Sequence, residues 1–229
     1  PLENLKQIVK MAKSQIKAKI IIPSILAPYL EDLSLAVLSG NNEKLSAREE
    51  EIEKAWTFLY SNQKSNAILV GDHGVGKTTM VMEMVQQISF GKCPKPFLKY
   101  NVLKINTFNL LEMAERSEFR YKRVIEALKE FAITNRNCVI FYIDNLFHIK
   151  CDLELLKAFI TFIETYNVKL IASIYTEDFE EYFEKDTERM KYLNPILIEE
   201  PDVEEIYPML KSRINQLQKS YGVKISERM

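Results

Sequence analysis

The chain has 229 residues, 47% hydrophobic and 28% charged, which suffices for the core of one large α/β domain or one domain plus appendages. Lys+Arg 31 against Asp+Glu 32 leaves a net charge of −1, which argues against a strongly basic nucleic-acid binder, although a local patch can hide inside such a balance. Scattered Cys93, Cys138 and Cys151 and two histidines, His73 and His148, provide neither a disulfide framework nor most metal sites; with no membrane-length apolar run and no signal peptide, the expected address is the cytoplasm.

Leu5, Ile8, Val9, Ala12 and Ile16 recur at helical spacing among Lys6, Lys10, Lys13, Lys17 and Lys19. Such a helix can dock on a membrane or partner, but packing on the following domain with a solvated lysine face is the favoured reading. Residues 1–40 are therefore expected to form a helical leader, with Pro23 and Pro28 preceding a short helix over Tyr29–Leu38 that ends at Gly40-Asn41-Asn42. Residues 41–229 are expected to form the main domain. It opens with a helix over Ala47–Leu59 and a buried strand at Ala67-Ile68-Leu69-Val70.

That strand runs into Gly71-Asp72-His73-Gly74-Val75-Gly76-Lys77-Thr78-Thr79, which fits G-x-x-x-x-G-K-[ST], the loop that wraps nucleotide phosphates. Its glycines let backbone N–H groups converge on phosphate oxygens. Lys77 is expected to reach the β- and γ-phosphates and the Thr78 hydroxyl to ligate Mg²⁺. Met80–Ser89 reads as the helix whose positive end faces the phosphates. The pattern implies binding of a nucleoside triphosphate.

Further along, Gly91–Pro96 reads as a loop, Lys99–Ile105 as a strand, and Asn109–Ala114 and Tyr121–Phe131 as helices. Cys138–Asp144 is an apolar run ending in an acid, the pattern of a buried parallel strand. Leu153–Glu164 reads as a helix, Val168–Ile174 as a strand, Asp178–Phe183 as a helix, Pro195–Ile198 as a last strand and Val203–Lys219 as a last helix. Strands alternating with helices predict a parallel sheet covered on both faces.

Asp144 has the position of the acid that holds Mg²⁺ through its water shell beside the phosphate loop. Hydrolysis further needs a group that orients water and takes its proton, often a carboxylate directly after that acid. Here the next residue is Asn145, whose amide can hold a water but cannot accept its proton at neutral pH. Impaired hydrolysis is the expected consequence unless another carboxylate substitutes.

With these residues in view, the chain resembles the first AAA+ module of the Clp unfoldases and disaggregases, the ClpA/ClpB/ClpC group, from about Tyr29 onward. Asp32-Leu33-Ser34-Leu35-Ala36 is similar to the family's D-L-T-x-x-A, and Arg48-Glu49-Glu50-Glu51-Ile52-Glu53 to R-E-E-E-I-E. Leu69–Thr78 is similar to L-V-G-x-x-G-V-G-K-T. Glu184-Lys185-Asp186 and Pro195–Pro201 are similar to E-K-D and P-V-L-V-E-E-P. The resemblance implies a P-loop NTPase large subdomain with ATP and Mg²⁺ as cofactors. It also implies backbone around Leu45-Ser46-Ala47 against the adenine, self-association or hetero-assembly in a ring, and a protein client. The small helical lid is expected beyond Met229, so the chain is expected to be a piece of a longer one.

Four positions depart from the family. Its D-E pair is Asp144-Asn145 here; the K-Y-R-G pore loop aligns with Ala114-Glu115-Arg116-Ser117 ahead of Glu118-Phe119; the paired arginines that reach a neighbour's γ-phosphate align with Lys191-Tyr192; the sensor threonines align with Ile174 and Tyr175. A ring of Glu115 acids would repel one another, and Lys191 offers one flexible cation in place of a fork. The expectation is a nucleotide-dependent switch or scaffold. The rivals are an active Clp-type unfoldase and, more weakly, a loader ATPase on nucleic acid.

Overall fold

The computed structural model describes residues 20–38, 48–62, 64–146, 159–162, 164–185 and 190–200, with 214, 218, 221 and 222. The expected lysine-rich helix, most of the helices over 153–164 and 203–219, and Leu45 and Ser46 lie outside the described residues. The elements run β1 Leu30–Asp32, α1 Leu33–Leu38, α2 Glu49–Tyr60, β2 Asn66–Val70, α3 Lys77–Ser89, β3 Asn101–Ile105, α4 Thr107–Arg116, α5 Glu118–Asn135, β4 Val139–Ile143, β5 Lys169–Ile174, α6 Thr176–Phe179 and β6 Pro195–Leu197. After α6 the chain continues as one π-helical turn over Glu180–Glu184.

The six strands form one sheet in the order β1-β3-β4-β5-β2-β6. The pairs β3–β4, β4–β5, β5–β2 and β2–β6 are parallel. The expected all-parallel sheet therefore needs one correction: β1 pairs antiparallel with β3, placing Leu30 opposite Ile105. The expected helix over Tyr29–Leu38 is corrected with it. Its first residues are an edge strand, and the helix starts only at Leu33, where the Asp32 carboxylate accepts the Ser34 N–H at 2.8 Å. A short carboxylate placed before a turn competes for backbone donors and starts helices rather than continuing them.

Successive strand residues point to opposite faces, and both faces are dry. On one, Ile68, Val70, Leu103, Phe141, Ile143 and Leu170 pack with Tyr121, Val124, Leu128 and Phe131 of α5. On the other, Ala67, Leu69, Val102, Ile140 and Ile171 pack with Trp56 and Leu59 of α2 and Met80, Met84 and Val85 of α3. The uninterrupted apolar runs in the sequence are the direct record of burial on both sides. The segment before residue 40 shares these cores: Leu26, Tyr29 and Leu30 join the first, Leu33 and Val37 the second.

The outer strand β6 is short, and polar groups fix it. Fully buried Asn66, opening β2, donates from Nδ2 to the Tyr192 carbonyl at 2.7 Å and accepts the Asn194 N–H at 3.0 Å. Asn194 donates back to the Lys64 and Asn66 carbonyls at 2.7 and 3.1 Å. This clasp sets the register Ile68↔Pro195, Leu69↔Ile196, Val70↔Leu197, which delivers Ile198 to the carboxyl end of β2.

Leu26 has no exposed surface and belongs to the main core. Leu26→Ala should cost about 2–5 kcal/mol in urea denaturation, as expected for deleting a fully buried leucine. Unchanged stability would mean that the segment carrying β1 is not part of the folding unit.

Candidate nucleotide site

Parallel strands aim their carboxyl ends the same way, so β2, β4 and β5 deliver Gly71, Asp144 and Tyr175 to one edge of the sheet, where open α/β sheets bind ligands. Of the residues singled out in the sequence, His73, Gly74, Gly76, Lys77, Thr78, Thr79, Asp144 and Asn145 line one cavity of 290 Å³. Ser173, Ile174 and Tyr175 complete its wall. Gly71, Asp72 and Val75 belong to the same loop without lining the cavity; Asp72 is exposed and Val75 is buried in the core.

Two glycines here do what no other residue does easily. Gly74 and Gly76 have φ of +86° and +98°, the left-handed region that L side chains rarely adopt. Gly76 is also the residue from which α3 starts, so the bend that turns loop into helix is made there. Gly71 is required for a different reason: a Cβ on it would lie 2.3 Å from the Ile198 carbonyl oxygen.

Lys77 is nearly buried, and its ammonium donates to the Gly71 and Asp72 carbonyls at 2.7 and 2.8 Å. It sits 4.7 Å from the centre of the Tyr175 ring, which stacks on His73 at 5.8 Å. Burial pulls the Lys77 pKa below the ordinary lysine value, against the opposing pull of Asp72 and Asp144. A cation held by neutral carbonyls and an aromatic face is poised to exchange those partners for phosphate oxygens.

Asp144 is not on the strand next to the loop strand: β5 lies between β4 and β2. The gap is bridged by Ser173 of β5, whose hydroxyl donates to Asp144 Oδ1 at 3.1 Å. The Tyr142 hydroxyl donates to the same oxygen at 3.0 Å, and Lys104 Nζ pairs with Oδ2 at 3.0 Å. Burial pushes the Asp144 carboxyl up, but Lys104, Tyr142 and Ser173 outweigh it and hold the group below its ordinary value, as a carboxylate. Burial raises the Tyr142 pKa, so the phenol stays protonated as a donor; Thr78 is also hydrogen-bonded to it. Thr78 and Asp144 are thus tied through one buried phenol. Two oxygen donors facing a phosphate-sized cavity fit a small hard cation that brings its remaining ligands as water and phosphate, so the residues suit Mg²⁺.

Asn145 has φ of +60° and donates its backbone N–H to Ser173 Oγ at 3.0 Å. Asparagine tolerates this conformation better than most residues, so the position carries a conformational demand as well as a chemical one. Lys191 lies elsewhere: it is exposed just before β6, at the opposite end of β2 from the loop, and does not line the cavity of its own chain. Ala114–Arg116 close α4, Ser117 accepts from the Arg120 N–H to cap α5, and Glu115 is exposed. The segment aligned with a pore loop is helical, joined to the next helix by one residue.

Several functional residues escaped the sequence reading. Lys104, Tyr142 and Ser173 fall inside segments that the sequence marks only as strands. Arg48 was noticed only within a motif, yet it is buried and pairs with Glu51 at 3.1 Å while donating to the carbonyls of Val75 and Glu199. One guanidinium thereby joins α2, the phosphate loop and the strand-end segment after β6.

The family model described as "ATPase family associated with various cellular activities (AAA)" matches residues 67–199, the stretch from β2 through the Arg48-bound strand end. The chain belongs to this family. Among relatives of the AAA module, chaperone protein ClpB of Staphylococcus aureus (strain COL) is 26% identical over 240 residues, covering 99% of this chain and 27% of the relative. ClpB of Wolinella succinogenes is 27% identical over 209 residues, covering 87% and 24%. The module thus spans about a quarter of the relatives it matches. The S. cerevisiae Hsp104–ADP complex superposes with a TM-score of 0.75 at 20% identity, over 88% of this chain and 35% of that one. The Hsp104:casein complex in its extended conformation gives 0.73 at 22%, over 89% and 35%. These likenesses bear out the Clp-type α/β fold.

Two substitutions test the loop's scaffold. Gly71→Ala forces a carbon into the Ile198 carbonyl and should abolish ATP binding in calorimetry; retained affinity would show that β6 can move aside. Arg48→Ala strips the buried Val75 carbonyl and the part-buried Glu199 carbonyl of a charged donor and should cost about 2–3 kcal/mol in denaturant titration.

Proposed function

We propose that this AAA module binds ATP and works as a nucleotide-dependent switch or scaffold in an oligomeric assembly, with weak or absent hydrolysis. The observation that carries the reading is the composition of the cavity wall. Asp144 is its one carboxylate among the described residues, and three protein donors already hold it. Asn145, beside it, has an amide where a proton acceptor is wanted. The loop, by contrast, has every group needed to hold phosphate: Gly74 and Gly76 in left-handed conformation, Lys77, and the Thr78 and Thr79 hydroxyls.

Mg²⁺, held by Thr78 and Asp144, would neutralise phosphate charge. Lys77 reaches the β- and γ-phosphates, while Ser173 and Tyr142 keep Asp144 ionised and oriented. By resemblance, Leu45 and Ser46 lie against adenine, and Lys191, exposed far from its own loop, serves a neighbouring subunit's nucleotide in a ring of copies or partners. A protein client and a cytoplasmic setting belong to the same reading. Among the described residues, no helix is long and apolar enough to cross a membrane.

A second reading, an active Clp-type unfoldase, is favoured by the left-handed backbone at Asn145, which gives asparagine a reason to be there apart from lost chemistry. The test is ATP affinity and steady-state phosphate release for the full chain, Lys77→Ala, Asn145→Glu and Asn145→Asp. The aspartate variant is included because, like asparagine, it accepts a positive φ. The proposal predicts ATP binding with turnover at or near background in wild type, loss of binding in Lys77→Ala, and a rate about 10²-fold above the wild-type level in at least one carboxylate variant, the low end for a positioned base. Steady turnover in wild type that Lys77→Ala abolishes would establish the unfoldase reading instead.

A further inference from the structure

We propose that Lys104 is a specificity-determining residue that makes nucleotide binding in this cavity tolerant of the absence of a divalent cation. The inference rests on the ATP-binding reading and concerns one residue that the phosphate loop does not include. Lys104 is the fourth residue of β3, in register with Tyr142 of β4. Because β3 flanks β4 on the side away from β5 and β2, its ammonium approaches Asp144 from behind and does not line the cavity. It reaches Oδ2 at 3.0 Å, with the Tyr142 ring centre 5.8 Å from the same nitrogen.

Two consequences follow for the carboxylate that faces the phosphates. First, its acceptor capacity is largely taken. A carboxylate offers about four lone-pair sites. Tyr142 and Ser173 use Oδ1, and Lys104 uses Oδ2. A hydrated cation that needs Asp144 as acceptor must share or displace the Lys104 contact. Second, the charge is balanced. An unpaired carboxylate at the edge of a phosphate cavity repels a metal-free polyphosphate, and a divalent cation is the usual remedy. Lys104 supplies a fixed positive charge that never dissociates from the protein, so metal-free nucleotide meets a neutral pair. Both partners are about one-third exposed, so solvent moderates the effect without removing it.

Lysine suits this role physically. Its ammonium is a compact point charge on a flexible stem, able to swing from Oδ2 without disturbing the Oδ1 contacts. Tyr142 and Ser173 hold the carboxylate in place whether or not Lys104 is engaged. The arrangement predicts a site that selects nucleotide by its phosphates and only weakly by its metal.

The test measures ATP affinity of the full chain by titration calorimetry in Mg²⁺ and again in EDTA, for wild type, Lys104→Met, Lys104→Gln and Lys104→Arg. The expected ratio of the two dissociation constants is within about threefold in wild type and rises to about tenfold or more in both uncharged variants, mostly through weaker binding in EDTA. Lys104→Arg should stay near wild type because the charge is kept. A purely structural role would weaken both arms equally, and an unchanged ratio across the variants would overturn the proposal. So would a wild-type ratio already at tenfold. Absence of ATP binding by wild type in both buffers is a separate outcome that sinks the nucleotide reading and this inference with it.

Discussion

The phosphate end of the molecule depends on one close backbone approach, Gly71 beneath the Ile198 carbonyl. Ile198 donates its N–H to the Val70 carbonyl at 2.7 Å, and its own carbonyl occupies the space a side chain on Gly71 would need. That contact determines where the loop leaves β2. It is reinforced from both ends, by the Asn66–Asn194 clasp at the start of β2 and by Arg48 across Val75 and Glu199. A loop whose function is to present N–H groups at fixed positions gains from a rigid exit, because preorganised donors cost no rearrangement when the ligand arrives.

A second constraint is electrostatic. The cavity gathers an ammonium, a carboxylate and the hydroxyls of Thr78, Thr79, Ser173 and Tyr175 within a small volume, and both charges have partners. Lys77 is shared by two carbonyls and an aromatic face; Asp144 is matched by the Lys104 ammonium and by the hydroxyls of Tyr142 and Ser173. Burial opposes both charged forms, and its outcome differs between them: Lys77 is pulled down, while Asp144 has enough donors to remain below its ordinary value. The site can therefore exchange partners at Lys77 while Tyr142 and Ser173 keep theirs on Asp144 Oδ1.

The phosphate loop was legible because its chemistry is local. Glycines at fixed offsets, a lysine and adjacent threonines, framed by a strand and a helix, depend on little beyond neighbouring residues. Among the described residues, α2, α3, α4, α5 and strands β2 to β6 were also readable from apolar patterning. Tyr29–Leu38 misled because Leu30 and Leu33 fit a helical face as well as a strand and a helix in succession, and only pairing with Ile105 decides between them. At Ala114–Ser117, where the sequence aligns with a pore loop, the chain ends one capped helix and starts the next.

The sequence by itself determined that this protein has a two-faced sheet, a phosphate-binding loop and an acid at the end of a later strand, since each is written in residues close along the chain. Tertiary structure decided what surrounds that acid. Strand order inserts β5 between the two halves of the site, and register sets Lys104 beside Tyr142 and behind Asp144. Arg48 and Glu199 meet across 151 positions of sequence. Contacts between distant residues follow from how strands are ordered and offset, and hydrophobic patterning specifies burial without specifying neighbours.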